Sequence, residues 1–227
     1  MTATPETATP ETATPQATGP QTAGPRTPDE TFAAPADLDR LRRAAAALRE
    51  RNYTVHIADT VAAARSLVRD LLPRDKEIFT AGSETLRLSG IAADIDSSGE
   101  FRSLRGRLPA LADNPREHIK AGAAPEVVVG SVHAVTEDGR LAASASGSQL
   151  GPYAAGAAMA VWVVGAQKVV PDLDTALRRV RTYSLPREDE RMRPRGFGSF
   201  IGKLLILERE AFPGRGTVVL IGEAIGF

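Results

Sequence analysis

A chain of 227 residues with 28 basic and 28 acidic side chains carries no formal net charge, which argues against a dominant nucleic-acid-binding role, whose usual footprint is a basic excess. The absence of cysteine excludes disulfides, thiolate zinc sites and any iron–sulfur cluster held by the chain's own thiolates. The three histidines, His56, His118 and His133, form no metal-ligand spacing, no apolar run reaches membrane-spanning length, and the start of the chain lacks the pattern of a secretion signal, so no metal site, no membrane insertion and a cytoplasmic location are expected.

Residues 1–35 open on the repeat T-A-T-P-E and continue through T-G-P, A-G-P and A-A-P. Proline disfavours helix and sheet, and threonine and alanine bring too little burial to offset ordering entropy. A disordered head is therefore expected, followed by one domain over residues 36–227. In residues 37–50, Leu38, Leu41, Ala45 and Leu48 share one helical stripe. Tyr53–Ile57 reads as a short strand with His56 at a flank. Asp59 or Thr60 caps a helix carrying Val61, Ala64, Leu67, Val68 and Leu71, which Pro73 stops.

Lys76–Thr80 is a further strand running into Ala81-Gly82-Ser83-Glu84-Thr85. A strand, a glycine, hydroxyl residues and a helix start can aim free backbone N–H groups at an anion, which makes Gly82, Ser83 and Thr85 candidate ligand contacts. A plain tight turn with Ser83 as helix cap satisfies the same residues. Residues 96–124 form a variable arm in which Phe101, Leu104, Leu108 and Leu111 suggest loose helix. The arm either closes over a ligand, packs on a second subunit in a homo-oligomer, or simply covers the sheet.

In Val127–Thr136 both alternating faces are apolar, so this stretch is expected to be one strand buried on both sides. Asp138-Gly139 then turns it into Leu141–Ser146. Ser148 and Gln149 follow as donors into a crevice or as helix caps, and Tyr153–Met159 reads as a small-residue helix. Ala160–Gly165 is a second buried strand, ending in Ala166-Gln167-Lys168. The helix through Leu173, Ala176, Leu177 and Val180 is expected to end at Pro186, and the mixed-sign run from Arg187 to Arg191 reads as a solvated loop. Leu204–Leu207 and Thr217–Ile221 complete the strands.

Strands and helices alternate for most of the chain. The expected fold is therefore a three-layer α/β domain: a mostly parallel sheet with helices on both faces and a local antiparallel hairpin. Neither G-x-G-x-x-G nor a P-loop occurs, and polar residues gather where strands end, as they do in ligand-binding open sheets.

At A-V-T-E-D-G-R-L (134–141), V-V-G-A-Q-K-V-V-P-D-L (163–173) and A-L-R-R-V-R (176–181) the chain resembles the lactate-utilisation, or LUD-domain, family, and within it the lactate utilization protein C group. The likeness spans roughly residues 36–227. It implies a fold similar to the ribose-5-phosphate isomerase, glucosamine-6-phosphate deaminase and coenzyme A transferase superfamily. It also implies a part in oxidising L-lactate to pyruvate beside an iron–sulfur partner subunit and a cysteine-rich one, with no cofactor in this chain itself. The family's strand-end motif falls on Gly82, Ser83 and Thr85, its turn on Thr136, Glu137 and Gly139, and its G-x-x-K on Gly165 and Lys168.

Three residues are candidates for chemistry. Glu137 is either an acid, base or metal-facing carboxylate, or a turn residue facing water. Lys168 either neutralises a carboxylate or phosphate, or is an exposed cation. His133 is either a hydrogen-bonded interior imidazole or a base. Three functions follow: a subunit of a lactate-oxidising assembly, a stand-alone enzyme on a sugar phosphate or acyl-coenzyme A, or a non-catalytic ligand-binding or regulatory domain.

Overall fold

A computed structural model describes residues 26–111, 113–147, 149–196 and 198–227. Six strands form one wholly parallel sheet: β1 (Thr54–Ala58), β2 (Glu77–Thr80), β3 (Arg102–Ser103), β4 (Val127–Gly130), β7 (Met159–Gly165) and β10 (Gly216–Ile221), in the order β1-β10-β7-β4-β2-β3. A second, mixed sheet holds β5 (Ala134–Thr136), β6 (Leu141–Ala145), β8 (Val169–Val170) and β9 (Lys203–Leu207), in the order β8-β5-β6-β9. The fold is the three-layer α/β arrangement that the alternation of elements predicts.

Period-two alternation explains why the large sheet is apolar on both faces. Val127, Val129, Val161, Val163, Val219 and Ile221 point to one side, where α2 (Val61–Leu71), α3 (Glu84–Leu88) and α4 (Ile91–Ser97) cover them. Val128, Ala160, Trp162, Val164, Val218 and Leu220 point to the other, against α1 (Leu38–Glu50) and the inner face of the small sheet. The small sheet's outer face is closed by Ala176 and Tyr183, together with Phe32. Residues 26–35 were assigned to the disordered head, yet they belong to the domain. Phe32 is buried, Asp29 N–H donates to Thr182 O at 2.8 Å, and Arg26 reaches Ser199 O at 3.0 Å. The repeats before residue 26 lie outside the described residues.

Four local expectations are corrected. Val127–Thr136 is not one strand: it leaves the large sheet at Gly130 and enters the small one at Ala134. Burial on both faces holds for both sheets, so the apolar pattern runs through the crossing without marking it. Tyr153–Met159 is helical only in its first part: a π-helical turn spans Pro152–Gly156, and Met159 already begins β7. Arg215 caps the end of this turn, its guanidinium reaching Pro152 O, Tyr153 O and Ala157 O at 2.9–3.3 Å. Pro186 does not end a helix: the helix of Leu173–Arg179 runs through a wide π turn at Val180–Ser184 straight into α7 (Leu185–Met192), with the proline just past that turn. The charged run 187–191 is thus helical and pairs with itself through Arg187–Glu190 and Arg191–Glu188. In the arm, short 3-10 turns precede α5 (Pro115–Ala123).

Candidate functional site

The parallel strands β2, β4 and β7 end together, and the residues just past their ends line a cleft of about 590 Å³: Ala81–Ser83 after β2, Ser131–His133 after β4 and Lys168 after β7. The opposite wall comes from α7, from residues 198–201 and from Phe227, and the end of β6 contributes Ser144 and Ala145. Five basic side chains line it (Arg87, Arg105, Lys168, Arg191, Arg195) against three acidic ones (Glu84, Asp96, Glu188), so the cleft favours an anionic guest. A wider groove beside α2 is lined by Arg65 and Arg69, but Asp94 and Glu100 already engage both, which leaves it little charge to offer.

Lys168 lies at the cleft's floor, 1% exposed. Its ammonium donates to Thr85 Oγ1 at 2.9 Å, Ser131 Oγ at 3.0 Å and Val132 O at 3.1 Å, and none of these partners is a carboxylate. Burial first, and the nearby Arg179 cation second, hold its pKa well below the usual amine range. Arg179 is itself fully buried and lowered to about 10 by desolvation. It donates to Gln167 O, to Ser184 Oγ and to His133 O, and one terminal nitrogen, Nη2, has no partner among the described residues. Two buried basic groups without a neutralising carboxylate, Lys168 in the cleft and Arg179 behind it, make this side receptive to an anion.

The local sequence accounts for that placement. At Gly165 a side chain would strike the backbone of Ile225 at 2.7 Å, so the C-terminal segment packs close. Gln167 clamps that segment through Gly226 O at 2.7 Å and Ile225 N at 3.2 Å, and the 3-10 turn Ala166–Lys168 then points the lysine inward. Tyr153 fixes Ser131: its hydroxyl accepts from Ser131 N and donates to Ser131 O, both at 3.1 Å. It occupies the space that a Cβ on Gly130 would fill.

His133 faces the cleft, half-buried. Its Nδ1 accepts from Ser144 N–H at 3.1 Å, which puts the ring proton on Nε2 and makes the imidazole a donor toward the cleft rather than a base. Desolvation, with Lys168 and Arg179 nearby, lowers its pKa to about 3. Gly82 N–H donates to Gln149 Oε1 at 3.1 Å, which brings two predicted contacts together. Ser83 lines the cleft while capping α3 through Leu86 N. Thr85 is fully buried behind the floor and acts on Lys168, not on the cleft. Ser148 lies outside the described residues.

Glu137 does not join them. Its carboxylate takes Arg40 Nε at 2.6 Å and Arg43 Nε at 2.8 Å, both from α1. Desolvation pulls its pKa up, but hydrogen bonds from Arg43 and Arg40 outweigh it and hold the group below the usual range. The E-D-G motif is a docking device. A side chain on Gly139, at φ +88°, would strike the Ala47 backbone at 2.6 Å, and Arg51 Nε donates to Asp138 O at 2.7 Å. The hairpin is therefore pressed onto α1.

Sequence reading missed Thr80, Asp96, Arg105 and Ser131. Ser131 and Thr80 carried a signal, as polar residues at the ends of apolar strands. Arg105 carried none, since the arm has no clear period. Among the described residues, no group of three or more His, Asp or Glu side chains suits a metal ion and no helix is long and apolar enough to cross a membrane. With no cysteine in the chain, its residues do not fit an iron–sulfur cluster.

Residues 41–204 match the family model described as the LUD domain. No curated protein matches the chain. Among solved structures, a DUF162 family protein from Deinococcus radiodurans aligns with a TM-score of 0.51 at 12% identity, over 82% of this chain and 98% of that one, a likeness of fold.

Proposed function

The chain belongs to the LUD domain family, and from that premise we propose that it is the carboxylate-binding subunit of an assembly that oxidises L-lactate to pyruvate, the iron–sulfur centres being held by partner chains. The supporting observation is Lys168: a buried amine at the floor of an electropositive cleft, held by two hydroxyls and a carbonyl, with no carboxylate of its own. A bound acid brings negative charge into a cleft that lacks it near this amine. His133 Nε2–H offers a hydrogen bond to a neighbouring hydroxyl or carbonyl oxygen, and Ser131 Oγ, which donates to Val132 O, can accept from a ligand hydroxyl. With no cysteine to ligate a cluster, this chain's part under this reading is to hold and orient the acid.

Two measurements test it. Calorimetric titration of the full chain with L-lactate and pyruvate should show saturable binding that Lys168→Met abolishes. Isolation from native cells under conditions that keep labile clusters intact should bring down an iron–sulfur protein. Binding of neither acid, with no such partner recovered, ends the proposal.

A second reading, a phosphorylated metabolite or acyl-coenzyme A as guest, draws on one observation. A cleft of about 590 Å³ is of the size that encloses much larger ligands than lactate. Turnover of such a substrate by the isolated chain would favour it.

A further inference from the structure

Arg105 enters the cleft from the arm with its inner edge fixed and its outer edge unused. Nε donates to Thr80 O at 2.8 Å and to Thr80 Oγ1 at 2.9 Å. The threonine hydroxyl donates onward to Asp96 at 2.8 Å, Ser103 Oγ donates to the same carboxylate at 2.7 Å, and Asp96 Oδ2 stands 4.0 Å from Arg105 Nε. This chain of bonds sets the plane of the guanidinium. The two terminal nitrogens have no hydrogen-bond partner among the described residues, and the side chain is 43% exposed.

Direction follows from Gly82. A Cβ there would lie 4.0 Å from Arg105 Nη2 and 3.5 Å from Gln149 Oε1, so both side chains close on one point above the end of β2. Gln149 spends its carbonyl on Gly82 N–H, which leaves its amide NH₂ as a donor. The neighbouring strand, β4, ends at Gly130, just before Ser131, the residue bonded to Lys168. An arginine fork and the lysine floor thus line one cleft, past the ends of two neighbouring strands.

We propose that Arg105 and Gln149 form the carboxylate subsite of this cleft, taking the two oxygens of a small 2-hydroxy or 2-oxo acid while its 2-oxygen turns toward Ser131 and His133. The assignment rests on the carboxylate reading above and adds its geometry. The arginine comes from the arm, so the arm is part of the site and not only a cover for the sheet.

Titrations of the full chain separate this from the parent reading. Wild type, Arg105→Met and Arg105→Lys are each titrated with L-lactate, its neutral amide lactamide, and inorganic phosphate. Wild type should prefer lactate over lactamide by roughly tenfold or more, the worth of a charge-assisted pair. Arg105→Met should weaken lactate binding several-fold more than lactamide binding and so shrink that preference, and Arg105→Lys, a point charge without a fork, should restore only part. An undiminished lactate preference in Arg105→Met overturns the subsite and spares the lactate reading. Phosphate binding that depends on Arg105, with no lactate binding to wild type, overturns the lactate reading and the carboxylate assignment together and leaves an anion site of other chemistry. Unchanged thermal unfolding of both variants confirms that the fold is intact.

Discussion

The hydroxyl of Tyr153 stands where a side chain on Gly130 would be, and from there it holds both backbone polar groups of Ser131. Removing it leaves a buried N–H and C=O without their partner at the point where the chain passes between sheets. Tyr153→Phe should cost ~1–3 kcal/mol in a denaturant titration and should also weaken ligand binding, because Ser131 loses its clamp. Full stability in this variant would show that the clamp contributes nothing.

Lys168 is a destabilising residue that the fold tolerates. Its folded pKa is depressed, so its share of stability is complete only above the unfolded value of 10.5 and is lost as pH falls through the folded one. At neutral pH, Lys168→Met should match or exceed wild-type stability by ~1–2 kcal/mol while losing ligand binding. The gap should close as pH rises toward the amine range. A variant markedly less stable than wild type would make the lysine a structural bracket instead.

His133 gives a second pH signature. Its pKa falls to about 3 in the fold from 6.5, so the unfolded chain takes up the proton first. Stability from this residue is full above about pH 6.5 and declines as pH falls toward 3, by an amount on the order of 1–3 kcal/mol for a half-buried ring. His133→Gln should flatten that part of the pH–stability curve. An unchanged slope would mean that the imidazole titrates freely.

Glu137 should matter for stability and not for binding. Glu137→Gln weakens two ion pairs to α1, and a loss of ~0.5–1.5 kcal/mol is expected with lactate affinity unchanged. A large drop in affinity at unchanged stability would return this carboxylate to the site.

What was legible in the sequence tracks what local pattern encodes. Apolar runs in residues 127–136 and 160–165 marked buried strands, and polar residues where strands 76–80 and 160–165 end marked the cleft edge, which is how Gly82, Ser83 and Lys168 were found. Glu137 was misplaced because a turn carboxylate looks the same whether it faces a ligand or two arginines 94 and 97 residues earlier. Arg105 was invisible because its role depends on Thr80 and Asp96, not on any period in its own segment. The crossing at residues 131–133 was hidden because both sheets want the same apolar residues.

The partners that seat Lys168 come from residues 85, 131 and 132, up to 83 positions away along the chain, and Thr85 is in turn bonded to Ile225 near its far end. The nest that seats Lys168 therefore draws on residues from 85 to Ile225, so a guest in the cleft favours the fully folded molecule. Any compound that protects this chain against heat or denaturant by occupying the cleft thereby reports the population of finished molecules, and its protection should grow with the logarithm of its concentration.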